Sequence, residues 1–182
     1  MLLTDDDILK HMKSGHIEII PFNRDQLGSN SYDLCLSENL AVYDVVKLDC
    51  KEDHPITRFQ IPEEGFELQP GELYLGSTVE YTATKQLAPF IEGKSSIGRL
   101  GITAHITAGV GDVGFRGHWT LEITVVKPVR VYAGMPIAQI QYFVLLGKCL
   151  VPYGLKKNAK YINQPGMPMP SQMFKNFQKE LV

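Results

Sequence analysis

Apolar residues in this chain come in short runs, with Gly and Pro at close intervals between them. That rhythm favours β-structure over long helices. Strands are expected at Ile17–Phe22, Leu40–Leu48, Gly101–Thr107, Trp119–Val126, Val129–Tyr132 and Ile137–Leu146, and Gln26–Leu36 reads as a polar turn passing into an alternating strand. Phe66–Val79 reads as two strands joined at Pro70-Gly71, a turn signal. Glu80–Leu87 reads as strand or loop, and Asp49–Thr57 as a charged connection. In Gln26–Leu36, alternation sets Ser31 and Asp33 on one face and Tyr32 and Leu34 on the other. One early helix is expected over Thr4–Lys13. Thr4 with Asp7 fits a capping box, Ile8, Leu9 and Met12 form an apolar face, and Gly15 ends it. The lack of βαβ alternation argues against a Rossmann fold, which leaves an all-β sandwich or barrel.

At 182 residues the chain is expected to form a single domain, 1–182, large enough for a real core. A net charge of −2 argues against a duplex nucleic-acid binder but leaves room for a small anionic ligand. Three cysteines without a CxxC pair fit a reducing compartment, and the five histidines lack zinc-ligand spacing. MLLTDDD is too acidic for a signal peptide, and no apolar run reaches the ~18 residues of a membrane span. A cytoplasmic protein is expected. The tail from 153 to 182 is polar, Lys-bearing and Pro-rich. It reads either as a surface tail or as a phosphate-contacting lid carrying Lys156, Lys157 and Lys160, with Ser171 capping a last helix that bears Met173, Phe174, Phe177 and Leu181.

The chemistry concentrates between Glu92 and Glu122. Gly93–Arg99 combines two cations, two hydroxyls and flexible backbone, a composition suited to an anion-binding nest or to a plain polar hairpin. The Walker A spacing is absent. Thr107–Phe115 sets Asp112 among small residues that would let backbone approach a ligand, and an Asx-turn is the structural alternative. Glu122 stands in an apolar strand, sharing a face with Thr120 and Thr124. Partial desolvation there would raise its pKa toward acid–base use; a solvent-facing strand Glu is the alternative.

KSSIGR, TAGVGDVGF and TLEI, in this order and spacing, resemble the dCTP deaminase family of the dUTPase-like superfamily. The strand ending SYDLCL and the tail pattern Tyr153…Lys160-Tyr161-x-x-Gln164-x-Gly166 extend the likeness over nearly the whole chain. The resemblance implies a distorted jelly-roll β-barrel, a homotrimer with sites between subunits, and dCTP bound with Mg²⁺ on its triphosphate. It implies deamination without zinc, and the zinc deaminase signature is absent from the sequence.

Carried over, Glu122 would be the general acid–base, with Ser95 and the Ala108 carbonyl positioning the attacking water and Arg99 beside the reaction centre. Lys94, Ser95, Ser96, Ile97, Gly98 and Arg99 would form the phosphate loop. Thr120, Leu121 and Glu122 would frame the base, Gln139 would bind nucleotide, and Tyr153, Lys160 and Gln164 would close over the triphosphate. Many members carry Arg where this chain has Lys94, which keeps the charge but loses the bidentate fork. Members that only deaminate commonly read Thr-Ala-His-Arg-Ile-Asp where this chain reads Thr-Ala-Gly-Val-Gly-Asp. The latter looks like the bifunctional, dUMP-forming members, in which Asp112 would hold a second water for attack on the α-phosphorus, aided by Mg²⁺. Feedback by dTTP is a further family trait. The alternatives are a deaminase releasing dUTP, a dUTPase, and a non-catalytic nucleotide-binding barrel.

Overall fold

The computed structural model describes residues 1–178. Helix α1 spans Asp5–Lys13 and is capped as its sequence dictates: the Asp7 N–H donates to Thr4 Oγ1 (3.3 Å), and the Thr4 hydroxyl donates to the Asp7 carboxylate (2.9 Å). Gly15 leaves the helix at φ +70°. The rest is β: β1 (Ile17–Ile20), β2 (Tyr32–Tyr43), β3 (Ile56–Gln60), β4 (Phe66–Leu68), β5 (Tyr74–Thr78), β6 (Tyr81–Thr84) and β7 (Leu87–Gly93) precede a helical turn, α2 (Ser95–Gly98). Then come β8 (Ile102–Thr103), β9 (Arg116–Gly117), β10 (Thr120–Val125), β11 (Val129–Val131) and β12 (Pro136–Val144).

The main sheet runs β7-β12-β2-β5-β10-β8, with β3 added to β2; β1-β6-β9 and β11-β4 complete the barrel-like shell. Every ladder between these strands is antiparallel. Alternation turns Tyr32, Leu34, Leu121, Ile123, Ile140 and Tyr142 fully into the core. The mainly β, jelly-roll-like fold with one short N-terminal helix is thus the one expected. Among the described residues, no helix is long and apolar enough to cross a membrane.

Three local expectations change. The strand ending at Leu36 and the one beginning at Leu40 are not separate: β2 joins them over Tyr32–Tyr43, and the register shifts between Leu36 and Leu40. The polar Ser37-Glu38-Asn39 looks like a turn but is satisfied inside the sheet, with Ser37 Oγ 2.6 Å from Ser77 Oγ and accepting from the Asn39 N–H (3.1 Å). The two strands expected on either side of the Pro70-Gly71 turn are present as β4 and β5, and each pairs elsewhere, β4 with β11 and β5 with β2 and β10. Of Gly101–Thr107 only Ile102–Thr103 is strand. Strand β7 was not foreseen, because Pro89 stands in its middle. It is tolerated because β7 is the sheet's edge.

The tail is neither plain surface nor free. Gly117, at φ +142°, lets the backbone of Gln164 lie beside it; a Cβ there would come within 2.6 Å of the Gln164 nitrogen. Farther on, the Gly166 carbonyl accepts from Ser77 Oγ (3.1 Å) and Asn39 Nδ2 (3.3 Å), and the Pro168 carbonyl accepts from the Arg58 guanidinium (3.2 and 3.1 Å). This covering lies over Ser77 of β5, a strand buried at every position. Ser171 accepts from the Met173 N–H (3.2 Å) at a short 3-10 turn, Met173–Asn176; Leu181 lies outside the described residues.

Ile123 is the central test of this packing. Ile123→Ala should destabilise the fold by about 2–5 kcal/mol, read from the shift in urea midpoint at unchanged slope. A loss under about 1 kcal/mol would mean that this face of β10 is not core.

Candidate active site

Strand β7 ends at Gly93, and the chain turns at once into α2. The Ile97 and Gly98 N–H groups donate to the Lys94 carbonyl (3.0 and 2.9 Å), and the Arg99 N–H to that of Ser95 (3.2 Å). The segment is therefore a helical turn, not a nest or hairpin. Ile97 is 4% exposed and pins the turn to the core, so it can offer a ligand only backbone; Ser95, Ser96 and Arg99 stand exposed around it. Lys94 folds back, its ammonium paired with Asp33 of β2.

Beneath this turn, Asp33, Gln139 and Glu92 stand opposite one another on β2, β12 and β7. Opposed residues of an antiparallel ladder project to the same side. Gln139 thus sits between two acids, with Ser31 Oγ 3.4 Å from its Oε1.

Glu122 lies on the face of β10 shared with Thr120 and Thr124, while Leu121 points wholly into the core. Leu121 can frame a base only through its backbone. The Glu122 side chain keeps a third of its surface exposed, and its Oε2 lies 2.6 Å from Nδ1 of His105, a ring that is 5% exposed. Burial alone would lower the His105 pKa. The Glu122 carboxylate and the Ala108 backbone beside the ring outweigh that effect and raise it above 6.5. His105 was missed: alternation shows where Glu122 points, but nothing local reveals which residue meets it.

The loop carrying Asp112 seals the free edge of β7. The Ile91 N–H donates to the Gly109 carbonyl (2.7 Å), and the Gly111 N–H to that of Pro89 (2.8 Å). A Cβ on Gly109 would stand 2.5 Å from the Ile91 carbonyl oxygen, and one on Gly111 2.5 Å from the Trp119 ring. These glycines therefore admit close approach to the protein itself, where the sequence had suggested approach to a ligand. Asp112 Oδ2 meets Lys156 Nζ of the tail at 3.0 Å, and that pair raises the lysine's pKa. A cavity of about 440 Å³ opens beside them, walled by Tyr153, Val110, Val151 and Ala88, within the size range of small-molecule sites.

The tail residues hold one another and the barrel. Tyr153 OH accepts from the Lys160 and Tyr161 N–H groups (3.0 and 2.9 Å), and buried Gln164 accepts from Thr120 Oγ1 (2.7 Å) through Oε1. The candidate residues thus fall into three groups: Lys94–Arg99 with Gln139, Glu122 with Ala108, and Asp112 with Tyr153. The Thr120–Gln164 bond joins the strand of Glu122 to the tail, while no hydrogen bond or ion pair among the described residues joins Lys94–Arg99 and Gln139 to either of the other groups. Nor do three His, Cys, Asp or Glu side chains among them converge to hold a metal directly.

Residues 2–145 match the dCTP deaminase-like family, and the chain belongs to the dCTP deaminase family. It is 49% identical over 180 residues, 99% of its own length and all of the relative's, to a protein of Leptospira biflexa named dCTP deaminase, dUMP-forming. A protein of Clostridium beijerinckii with the same name is 45% identical over 179 residues, covering 98% of this chain and all of that one. The crystal structure of 2′-deoxycytidine 5′-triphosphate deaminase from Agrobacterium tumefaciens superposes with a TM-score of 0.63 at 20% identity, over 79% of this chain and 48% of that one, and so shares the fold.

The His105–Glu122 pair has a defined pH signature. Because the folded pKa of His105 is raised above 6.5, the stabilisation it brings is full below that value and is lost as pH rises through the folded pKa. An NMR titration of the His105 ring should give a pKa above 6.5 in the native chain and a lower one in Glu122→Gln. Equal values in the two chains would dissolve the pair.

Proposed function

We propose that this chain hydrolyses dCTP to dUTP and ammonia and carries the product on to dUMP and pyrophosphate, supplying dUMP for thymidylate synthesis. The observation that carries this reading is the 45–49% identity, end to end, with relatives named dCTP deaminase, dUMP-forming. In the first step water adds to C4 of cytosine, and Glu122 takes its proton. The Ser95 hydroxyl and the Ala108 carbonyl hold that water. Protons then pass through Glu122 to N3 and to the departing amine, so that water is consumed and ammonia leaves. His105, with Nδ1 2.6 Å from Glu122 Oε2, holds the carboxylate in place beside the reaction centre. Arg99 stabilises charge at the reaction centre, and the step needs no zinc.

The nucleotide enters as its Mg²⁺ complex, with the metal on the triphosphate and the phosphates over Lys94–Arg99 and Gln139. Thr120 and the backbone of Leu121 frame the base. Tyr153, Lys160 and Gln164 close the site from the tail. In the second step Asp112 orients a water toward the α-phosphorus, and pyrophosphate leaves. The lack of any bond from Lys94–Arg99 and Gln139 to the Glu122 strand or the tail supports a site completed between subunits, and the assembly we propose is a homotrimer; dTTP, which differs from dUTP by one methyl group, fits the same site as an inhibitor. The three unpaired cysteines fit a cytoplasmic enzyme.

Incubation with dCTP and Mg²⁺, followed by chromatography of the nucleotides, tests the reading. Formation of dUMP and pyrophosphate without build-up of dUTP is expected. Persistent dUTP would reduce the enzyme to a deaminase, and untouched dCTP with hydrolysed dUTP would make it a dUTPase. Glu122→Gln should lower ammonia release by roughly 10²–10⁴-fold while dCTP still binds. Asp112→Asn should leave deamination and let dUTP accumulate; an Asn variant that forms dUMP at the native rate would remove Asp112 from the second step.

A further inference from the structure

We propose that Asp33 is a positioning residue for the phosphate loop, acting through Lys94. This rests on the reading of Lys94–Arg99 as the phosphate-binding turn. Lysine has a long, freely rotating stem, and the backbone bonds that fix α2 do nothing to aim it. Asp33 differs in kind. It stands inside β2, opposite Gln139, and its own carbonyl accepts from Gln26 Nε2 (2.8 Å). Gln26 also donates to the buried Glu80 (2.7 Å), whose other oxygen takes the Cys35 N–H (2.8 Å). The carboxylate is thus carried by a strand held from both flanks, while its partner hangs from a turn. The rigid member of such a pair sets the direction of the loose one.

The two side chains keep 24% and 23% of their surface exposed, so their attraction is less screened than that of an open surface pair. An ammonium has three donors. Asp33 takes one and leaves the others for a phosphate oxygen, with Gln139 in the adjoining position of the sheet. Binding then needs no rupture of the pair. The arrangement also carries a penalty, since a carboxylate close to an anion repels it. Asp33 helps binding only through Lys94 and opposes it otherwise, so its benefit must vanish or reverse when Lys94 is removed.

The probe is inorganic tripolyphosphate with Mg²⁺, which tests the phosphate subsite without the base, measured by calorimetry beside dCTP. Asp33→Asn should weaken tripolyphosphate by about tenfold, the worth of one charge-assisted hydrogen bond. In a Lys94→Gln chain the same substitution should leave binding unchanged or tighten it. Asp33→Glu, which keeps the carboxylate, should recover most of the affinity. It also completes the comparison with Lys94→Gln if the Asn variant does not fold. An equal loss in both backgrounds, or tighter binding on Asp33→Asn alone, overturns the proposal while the functional reading stands. A native chain that binds neither tripolyphosphate nor dCTP overturns both.

Discussion

The site hangs on the pairing of β12 between β2 and β7. This central strand carries seven consecutive partners on β7, from Ala138 opposite Gly93 to Val144 opposite Leu87. One ladder therefore sets the row Asp33, Gln139, Glu92 and fixes the point where the chain leaves β7 for α2. A slip of one residue would turn Gln139 inward and bring its buried neighbours Ala138 and Ile140 out to the surface. The core thus holds the register, and the register holds the polar row.

Edges shape the remainder. A free strand edge leaves backbone donors and acceptors unpaired, and this barrel covers two such places with irregular chain. The Asp112 loop lies along β7, and the segment at Gln164 lies beside Gly117. Both approaches need glycine, because a side chain would strike the opposing backbone or ring at Gly109, Gly111 and Gly117. The segments that bring Asp112 and the tail to their places are thus fixed by backbone pairing as well as by side-chain packing.

Three of the charged centres proposed for the chemistry rest against an ionisable partner: Lys94 on Asp33, Glu122 beside His105, Asp112 on Lys156. The three pairs differ in burial, and so in weight. His105 is nearly enclosed, the Lys94 pair is partly screened, and Lys156 and Asp112 are 40% and 55% exposed. Exposed pairs contribute least to stability, and the Lys156 pair is the one that joins the tail to the loop. The tail's firmer hold comes from the bonds at Gln164, Gly166 and Pro168.

Period-two alternation is a local property, and it made the facing of Glu122, Thr120 and Asp33 legible in the sequence, as the capping box made α1 legible. The spacing of KSSIGR, TAGVGDVGF and TLEI was enough to indicate the family. Partners were not legible. Lys94 reaches Asp33 across 61 positions of sequence and Lys156 reaches Asp112 across 44, and no short-range pattern encodes such meetings. Strand β7 was hidden for a related reason, since only its place at the sheet edge makes Pro89 acceptable. The sequence by itself determined which residues could do chemistry and which way most of them face, because backbone geometry sets facing residue by residue. Only the tertiary structure decided which charges meet and which glycines touch backbone, because those follow from how distant strands stack into one sheet.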